Sequence, residues 1–376
     1  MSAGATTARG LLERTGEHPV VSVFFDLDPS EFATAPARAT QAESLLDGAH
    51  NLMAADATLN HDARAFVKGD LERLEAYLAS DELPVSDAGA LAIYACGAAG
   101  VFETIPLGAP AASAVYLERA PHLEPLITQP AAGRWAVALV TSEDAEIYLG
   151  HGHSVDAQEH SSRYVRGHRQ SVDTTGRVNE HDVDEHLGEV AAALDDDWRR
   201  GRFCTLMLGG PIAAATRLEG HLPKDLHGAL AAERLDVDTS AVTDATLAEA
   251  VARQLTAAEE RTRETLLARL ADGLGGAGRA VAGVTEVLAA LAEQRVQTLL
   301  MAGDFHAAGA RCSRCGLLFG PEVDECPVDG TATAPVADLR EPMLAAAVLQ
   351  DAGVTVYSEP VPELAPAHPV AALLRF

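Results

Sequence analysis

The sequence predicts an α/β protein built in three segments, and three observations carry that expectation. Short apolar runs rich in β-branched residues alternate with Ala- and Leu-rich stretches of helical spacing. Joints rich in Pro or Gly, near residue 130 and at "GLGGAGRA", divide the chain. A cysteine ribbon interrupts the last segment. At 376 residues the chain exceeds one ordinary domain, and 48% hydrophobic residues are ample for buried cores.

In the first segment "PVVSVFFDLDP" reads as a buried strand stopped by Asp-Pro. Residues 33–79 follow as one long helix with Gly48 and Gly69 as weak points. "ALAIYACGAAGVFETIPL" gives two strands around a small-residue turn, and the three prolines of "ERAPHLEPLITQPAAGR" suggest a linker. The second segment opens with a hairpin, "RWAVALVTSEDAEIYLG". A helix follows with Val183, Leu187, Val190 and Leu194 on one face, then the strand "RFCTLMLGGP". "HLPKDLHGALAAERLDVDTS" supplies a short helix and a further strand. Residues 243–272 read as one helix closed by Gly273. The third segment holds helix "VAGVTEVLAALAEQR", strand "VQTLLMAG", the ribbon, helix "LREPMLAAAVLQDAG" and strand "VTVYSEP".

The net charge of -27 argues against a generally basic nucleic-acid surface. Lysine is confined to Lys68 and Lys224, so arginine carries the positive charge and its placement matters. The beginning of the chain lacks the apolar core of a secretory signal, and no apolar run reaches the roughly 20 residues of a membrane span. Five cysteines, three of them clustered, fit a reducing compartment with a metal site better than a disulfide framework. The expectation is a soluble cytoplasmic protein.

The ribbon is "CSRCGLLFGPEVDECPVDG". Cys312 and Cys315 have the spacing of one zinc knuckle, and Cys326 opens a second in which Asp329 stands where the fourth sulfur is expected. Zinc accepts a carboxylate beside three thiolates, so Cys312, Cys315, Cys326 and Asp329 form the candidate set, with His306 as an alternative fourth ligand. The plainer reading is a ribbon held by packing alone. In either case the role is structural, since no open coordination position is suggested.

A second candidate is "HSSRYVRGHRQSVDTTGR", residues 160–177, with Arg163, Arg166, Arg169 and Arg177 against one acid, Asp173. The run lacks hydrophobic periodicity and reads as an exposed loop, where guanidinium groups suit phosphate. Its plainer reading is a solvated loop paired with the protein's own acids. His181 and His186 are five apart, not the i, i+4 of a metal-binding helix pair. "LMLGGP" and "GLGGAGRA" fail the phosphate-loop patterns, and no G-x-S-x-G elbow or catalytic triad can be assembled.

Taken in order, "VVSVFFDLDP", "ATQAESLLDGA", "WAVALVTSEDAEIYLG", "DDDWRRGRFCTLMLGGP" and "VTEVLAALAEQRVQTLLMAG" before a cysteine ribbon resemble the bacterial branch of the archaeal–eukaryotic class-1 release factor family, which includes Balon-like ribosome hibernation factors. The resemblance implies three α/β domains shaped for the ribosomal A site. They would be residues 1–130, a middle domain 131–242 with the basic loop 160–177, a connecting helix 243–273, and a C-terminal domain 274–376 carrying the zinc ribbon at 309–336. Release factors place Gly-Gly-Gln on the middle-domain loop; here Gly167-His168-Arg169-Gln170 stands there. Gln170 is thus a weak catalytic candidate, and Arg163, Arg166, His168, Arg169, Gln170 and Arg177 are the expected RNA contacts. "YACGAAGVF" lacks the spacing of a stop-codon motif and reads as a buried strand. The implied function is a monomeric, non-catalytic factor occupying the A site during stress, with elongation factor Tu a possible partner. Two alternatives remain: a peptidyl-tRNA hydrolase or rescue factor using Gln170, and a stress-associated adaptor that does not bind ribosomes.

Overall fold

The strand Val20–Asp26 is buried from Val20 to Phe25, Ser22 included, because both of its faces are covered. It lies inside an antiparallel sheet ordered Val101–Leu107, Ala90–Cys96, Val20–Asp26, Ala114–Glu118. Val21, Val23 and Phe25 face the helices Ala35–Ala55 and His61–Leu78, while Val20 and Phe24 enter a second core. The computed structural model describes residues 3–16, 18–27, 34–80, 83, 89–108, 111–129, 134–151, 154–155, 163–166, 180–237, 242–364 and 368–376.

The expected single helix over 33–79 is two. Neither glycine breaks it: Gly48 sits inside the first helix, where a Cβ would come within 3.1 Å of Val115 Cγ1, and Gly69 lies inside the second. The break falls at residues 56–60, where polar side chains compete for backbone partners. Asp56 Oδ1 accepts from the Thr58 N–H at 2.8 Å, and Asn60 Oδ1 caps the second helix by accepting from the Ala63 N–H at 2.8 Å. Arg64 closes the end of the first helix, donating to the carbonyls of Met53 at 2.6 Å and Asp56 at 2.8 Å.

The chain divides into two compact units, Met1–Gln129 with Thr262–Phe376, and Pro130–Arg261. In the first, the C-terminal sheet is ordered Ala280–Ala282, Val370–Leu374, Val296–Ala302, Gly353–Tyr357, with only the last pair parallel. Helices Val284–Ala292 and Arg340–Leu349 pack on it. One core joins this sheet to Val20, Phe24, Ala92 and Tyr94 of the N-terminal sheet and to Ala8 and Leu11 of the helix Ala3–Thr15. The stretch expected as a linker supplies Leu123, Leu126 and Ile127 to the same core, the last two from a short helix Glu124–Ile127. Pro125 stands in the first turn of that short helix. The ribbon is a three-stranded sheet, Leu318–Phe319, Gly309–Cys312, Thr333–Val336, docked through buried Leu318.

In the second unit the hairpin Arg134–Val140 and Asp144–His151 forms as expected, with Thr205–Gly209 parallel to its first strand. The helices Glu180–Arg199 and Ile212–His221 cover one face, burying Val183, Leu187, Val190 and Leu194. Trp135, Val137 and Met207 on the other face meet Leu247, Val251 and Leu255 of the helix Asp244–Asp272. The strand expected within 229–237 reduces to two isolated bridges, Leu206 with Leu230 and Gly209 with Leu235. Among the described residues, no helix is long and apolar enough to cross a membrane.

Candidate metal centre

Both halves of the ribbon are the same small device. In the first, the Gly316 N–H donates to the Cys312 carbonyl at 3.1 Å, and the Cys312 N–H donates to the Leu317 carbonyl at 2.9 Å. In the second, the Gly330 N–H donates to the Cys326 carbonyl at 2.9 Å, and the Cys326 N–H donates to the Thr331 carbonyl at 2.8 Å. Gly316 and Gly330 hold φ of +73° and +70°, the left-handed conformation that favours glycine. The fourth residue of the first turn is Cys315; that of the second is Asp329. The backbone therefore presents the carboxylate where a knuckle presents its second sulfur.

All four donor atoms lie within 4.8 Å of one another. The Cys315 and Cys326 sulfurs are 3.6 Å apart, and Cys312 Sγ lies 3.6 Å and 3.7 Å from the two Asp329 oxygens. Thiolates about 2.3 Å from a tetrahedral zinc are about 3.8 Å from each other, so the spacing fits that ion. The amides of Arg314 and Cys315 each donate to Cys312 Sγ at 3.4 Å, and the Thr331 N–H donates to Asp329 Oδ1 at 2.9 Å.

These contacts set the charges. The Cys315 N–H, with that of Arg314, holds the Cys312 thiol below its ordinary value, and the Thr331 N–H draws the Asp329 carboxyl down to about 2. The Leu317 amide lowers the Cys315 thiol, but desolvation and the neighbouring sulfurs outweigh it and push it up to about 11. The sulfurs thus resist ionising together, a conflict that a divalent cation relieves. The donor set, Cys312, Cys315, Cys326 and Asp329, is compatible with zinc. None of the three cysteines is in a disulfide. Four protein donors leave no open position, which is the arrangement of a structural centre. His306 is not among the donors: its Nδ1 lies 2.6 Å from Asp338.

A second group meets the same proximity criterion: His122, Glu124 and Glu341. Its electrostatics differ, because a cation of the chain is already there. Arg340, buried, donates Nε to Glu124 Oε2 at 2.5 Å and its Nη2 to Glu124 Oε1, while Nη1 donates to the carbonyls of Ala302 at 3.2 Å and Phe305 at 3.1 Å. Glu341 answers in the opposite direction, accepting from the amides of Leu123 at 2.9 Å and Glu124 at 3.0 Å, with His122 Nε2 3.2 Å away. Burial, partly offset by His122, holds the Glu341 carboxyl above its ordinary value. The His122 ring stacks on Tyr116, and its backbone is clamped by Ser22 and Tyr94. This is a clasp joining the N- and C-terminal parts of the first unit. Nothing local in the sequence signals it.

The arginine run is only partly described. Residues Arg163–Arg166 form a strand paired with Asp144–His151, Arg166 opposite Asp144 and Tyr164 opposite Glu146, so the expected loop is strand there. His168, Arg169, Gln170 and Arg177 lie outside the described residues. His186, whose spacing from His181 already speaks against a metal pair, is buried on the helix Glu180–Arg199 and stands in no cluster of donor residues among those described.

Residues 121–260 match the model of bacterial archaeo-eukaryotic release factor family 10. No curated protein matches significantly. Among solved structures the chain is similar to an archaeal translation termination factor, aRF1, at 18% identity over 99% of this chain and 98% of that one, with a TM-score of 0.26. Similar too are Pelota of Archaeoglobus fulgidus, at 19% over 76% and 79% with a TM-score of 0.32, and S. cerevisiae Dom34, a translation termination-like factor, at 11% over 74% of each with a TM-score of 0.43.

Proposed function

We propose that the chain, whose residues 121–260 match the model of bacterial archaeo-eukaryotic release factor family 10, is a ribosome-binding translation-factor homologue that occupies the A site without catalysing peptide release. The observation that carries this reading is the family match, which spans the arginine run at 160–177. In an otherwise acidic chain that run is the natural contact for ribosomal RNA phosphate. His168 and Arg169 replace the glycines of a Gly-Gly-Gln turn, which argues against Gln170 as a water-positioning group and for occupancy over hydrolysis. The ribbon is read as a structural zinc centre held by Cys312, Cys315, Cys326 and Asp329, and hibernation under stress as the setting. When bound, the ion would cross-link the two knuckles; the chain's own amides at Arg314, Cys315 and Thr331 pre-orient Cys312 and Asp329 for it.

The test is co-sedimentation of the purified protein with 70S ribosomes across a salt series, beside an Arg163/Arg166/Arg169→Ala variant. Binding that weakens steeply with salt and is lost in the variant supports the reading. Absence of binding at every salt concentration sinks it in favour of an adaptor acting elsewhere. Peptidyl-tRNA hydrolysis abolished by Gln170→Ala would instead establish the enzyme.

A further inference from the structure

The zinc ribbon is not uniformly sheltered. Cys312 and Cys326 are buried, at 1% and 2% exposure, whereas Cys315 is open to solvent. Cys315 is also the sulfur within 3.6 Å of Cys326 across the two knuckles. Cys312 is held in place instead: two amides donate to its sulfur at 3.4 Å, and the Asp329 oxygens lie 3.6 Å and 3.7 Å from it. Bound metal keeps all three sulfurs as thiolates, so access rather than ionisation selects the one that meets a solvent oxidant. The fourth corner is a carboxylate, which cannot be oxidised and cannot replace a lost sulfur.

We infer that the ribbon is a peroxide-responsive switch, in which Cys315 and Cys326 form a disulfide and the metal is released. The inference rests on the zinc reading given above. The Cys315 thiolate attacks the O–O bond of a hydroperoxide, gaining one oxygen as sulfenic acid and expelling hydroxide or alkoxide. The Cys326 thiolate then attacks that sulfur, forming the S–S bond and expelling the second oxygen as hydroxide. Two electrons leave the sulfur pair for the peroxide, and protons from water neutralise both leaving groups. Cys312 and Asp329 alone are too few to retain a tetrahedral ion. What then changes is local: the disulfide replaces the ion as the link between the two turns, Cys312 and Asp329 are left without it, and Leu318 still anchors the ribbon to the core. A dithiol reductant together with zinc restores the closed form.

The full-length protein carrying Cys204→Ser, which removes the other exposed thiol, is loaded with zinc and titrated with hydrogen peroxide. Released metal is read with a chromogenic chelator, and disulfides are mapped by peptide mass spectrometry. Zinc and the Cys315–Cys326 disulfide should rise together in equal amounts, and both should reverse with dithiothreitol and zinc. A Cys315→Asp variant, which repeats the oxygen corner of Asp329, should keep its metal under the same peroxide. Should that variant bind no zinc, the mapping on the parent protein decides alone. Metal retained while the thiols oxidise, or a disulfide linking Cys312 instead, overturns the switch and leaves the zinc centre standing. Protein that neither contains zinc nor binds it when added overturns both.

Discussion

Among the described residues two tight groups of metal-ligand side chains stand out, and in one of them a guanidinium of the chain already sits among the donors. Around His122, Glu124 and Glu341 the guanidinium of Arg340 supplies positive charge, and backbone amides take the Glu341 lone pairs. Around Cys312, Cys315, Cys326 and Asp329 backbone amides reach two of the donors, Cys312 and Asp329. Proximity of ligand atoms is therefore a poor criterion by itself. The useful question is whether the chain has already balanced the charge it has gathered.

The most damaging way to break this contrast is to remove the internal cation. Arg340→Ala should destabilise the first unit by about 3 kcal/mol, the lower end for a broken buried pair because Glu124 keeps some solvent access. Denaturant unfolding followed by Trp fluorescence and by far-UV dichroism checks it. Both tryptophans, Trp135 and Trp198, lie in the second unit, so the dichroism transition should shift while the fluorescence transition stays. Equal shifts in both would show that the units unfold together. In the ribbon, Asp329→Cys should sharpen the contrast by completing four thiolates. Competition with a chelator should then show zinc held more tightly, by about tenfold or more. An unchanged affinity would place Asp329 outside the coordination sphere.

Smaller effects test the geometry. Gly330→Ala meets no atom within 4 Å, so its cost is purely conformational, about 1 kcal/mol from forcing a side chain to positive φ. It should appear as faster zinc loss to chelator rather than as a changed global melt. The smallest effect is a pH slope. Burial raises the Glu341 carboxyl in the folded state, so its contribution is greatest below its unfolded value, about 4.3, and declines as pH rises through the folded value. The advantage of wild type over Glu341→Gln in thermal melts should therefore shrink from about pH 4 to about pH 7. An advantage that grows over that range would refute the assignment.

What could be read in the sequence depended on how far apart the cooperating residues lie. The knuckles were legible because Cys312 to Gly316 and Cys326 to Gly330 are local units, each closed by its own hydrogen bonds. The strand Val20–Asp26 was legible as a short apolar run because both its faces are buried, and the helical stripe Val183, Leu187, Val190, Leu194 because one-sided burial imposes a period. The clasp was not, since Glu124 and Arg340 are separated by 216 positions and each looks like an ordinary surface charge in its own neighbourhood. Prolines at 121, 125 and 130 made the same stretch resemble a tether. The break at Asp56–Asn60 was missed because glycine propensity was weighed above polar capping, and the capping decided it. The strands Ala280–Ala282 and Val370–Leu374 escaped notice because three to five small apolar residues carry no pattern until a sheet receives them.

The shared core of the first unit bears on how the chain is made. Val20, Phe24 and Tyr94 leave the ribosome early, but their partners Leu300, Leu344 and Ala372 emerge only after the whole second unit has been synthesised. During that interval the N-terminal sheet can cover the face that meets its own two helices, while the face destined for the shared core waits. The last step of folding this unit thus waits on the synthesis of the second, and until then an apolar sheet surface is displayed that a chaperone is suited to hold.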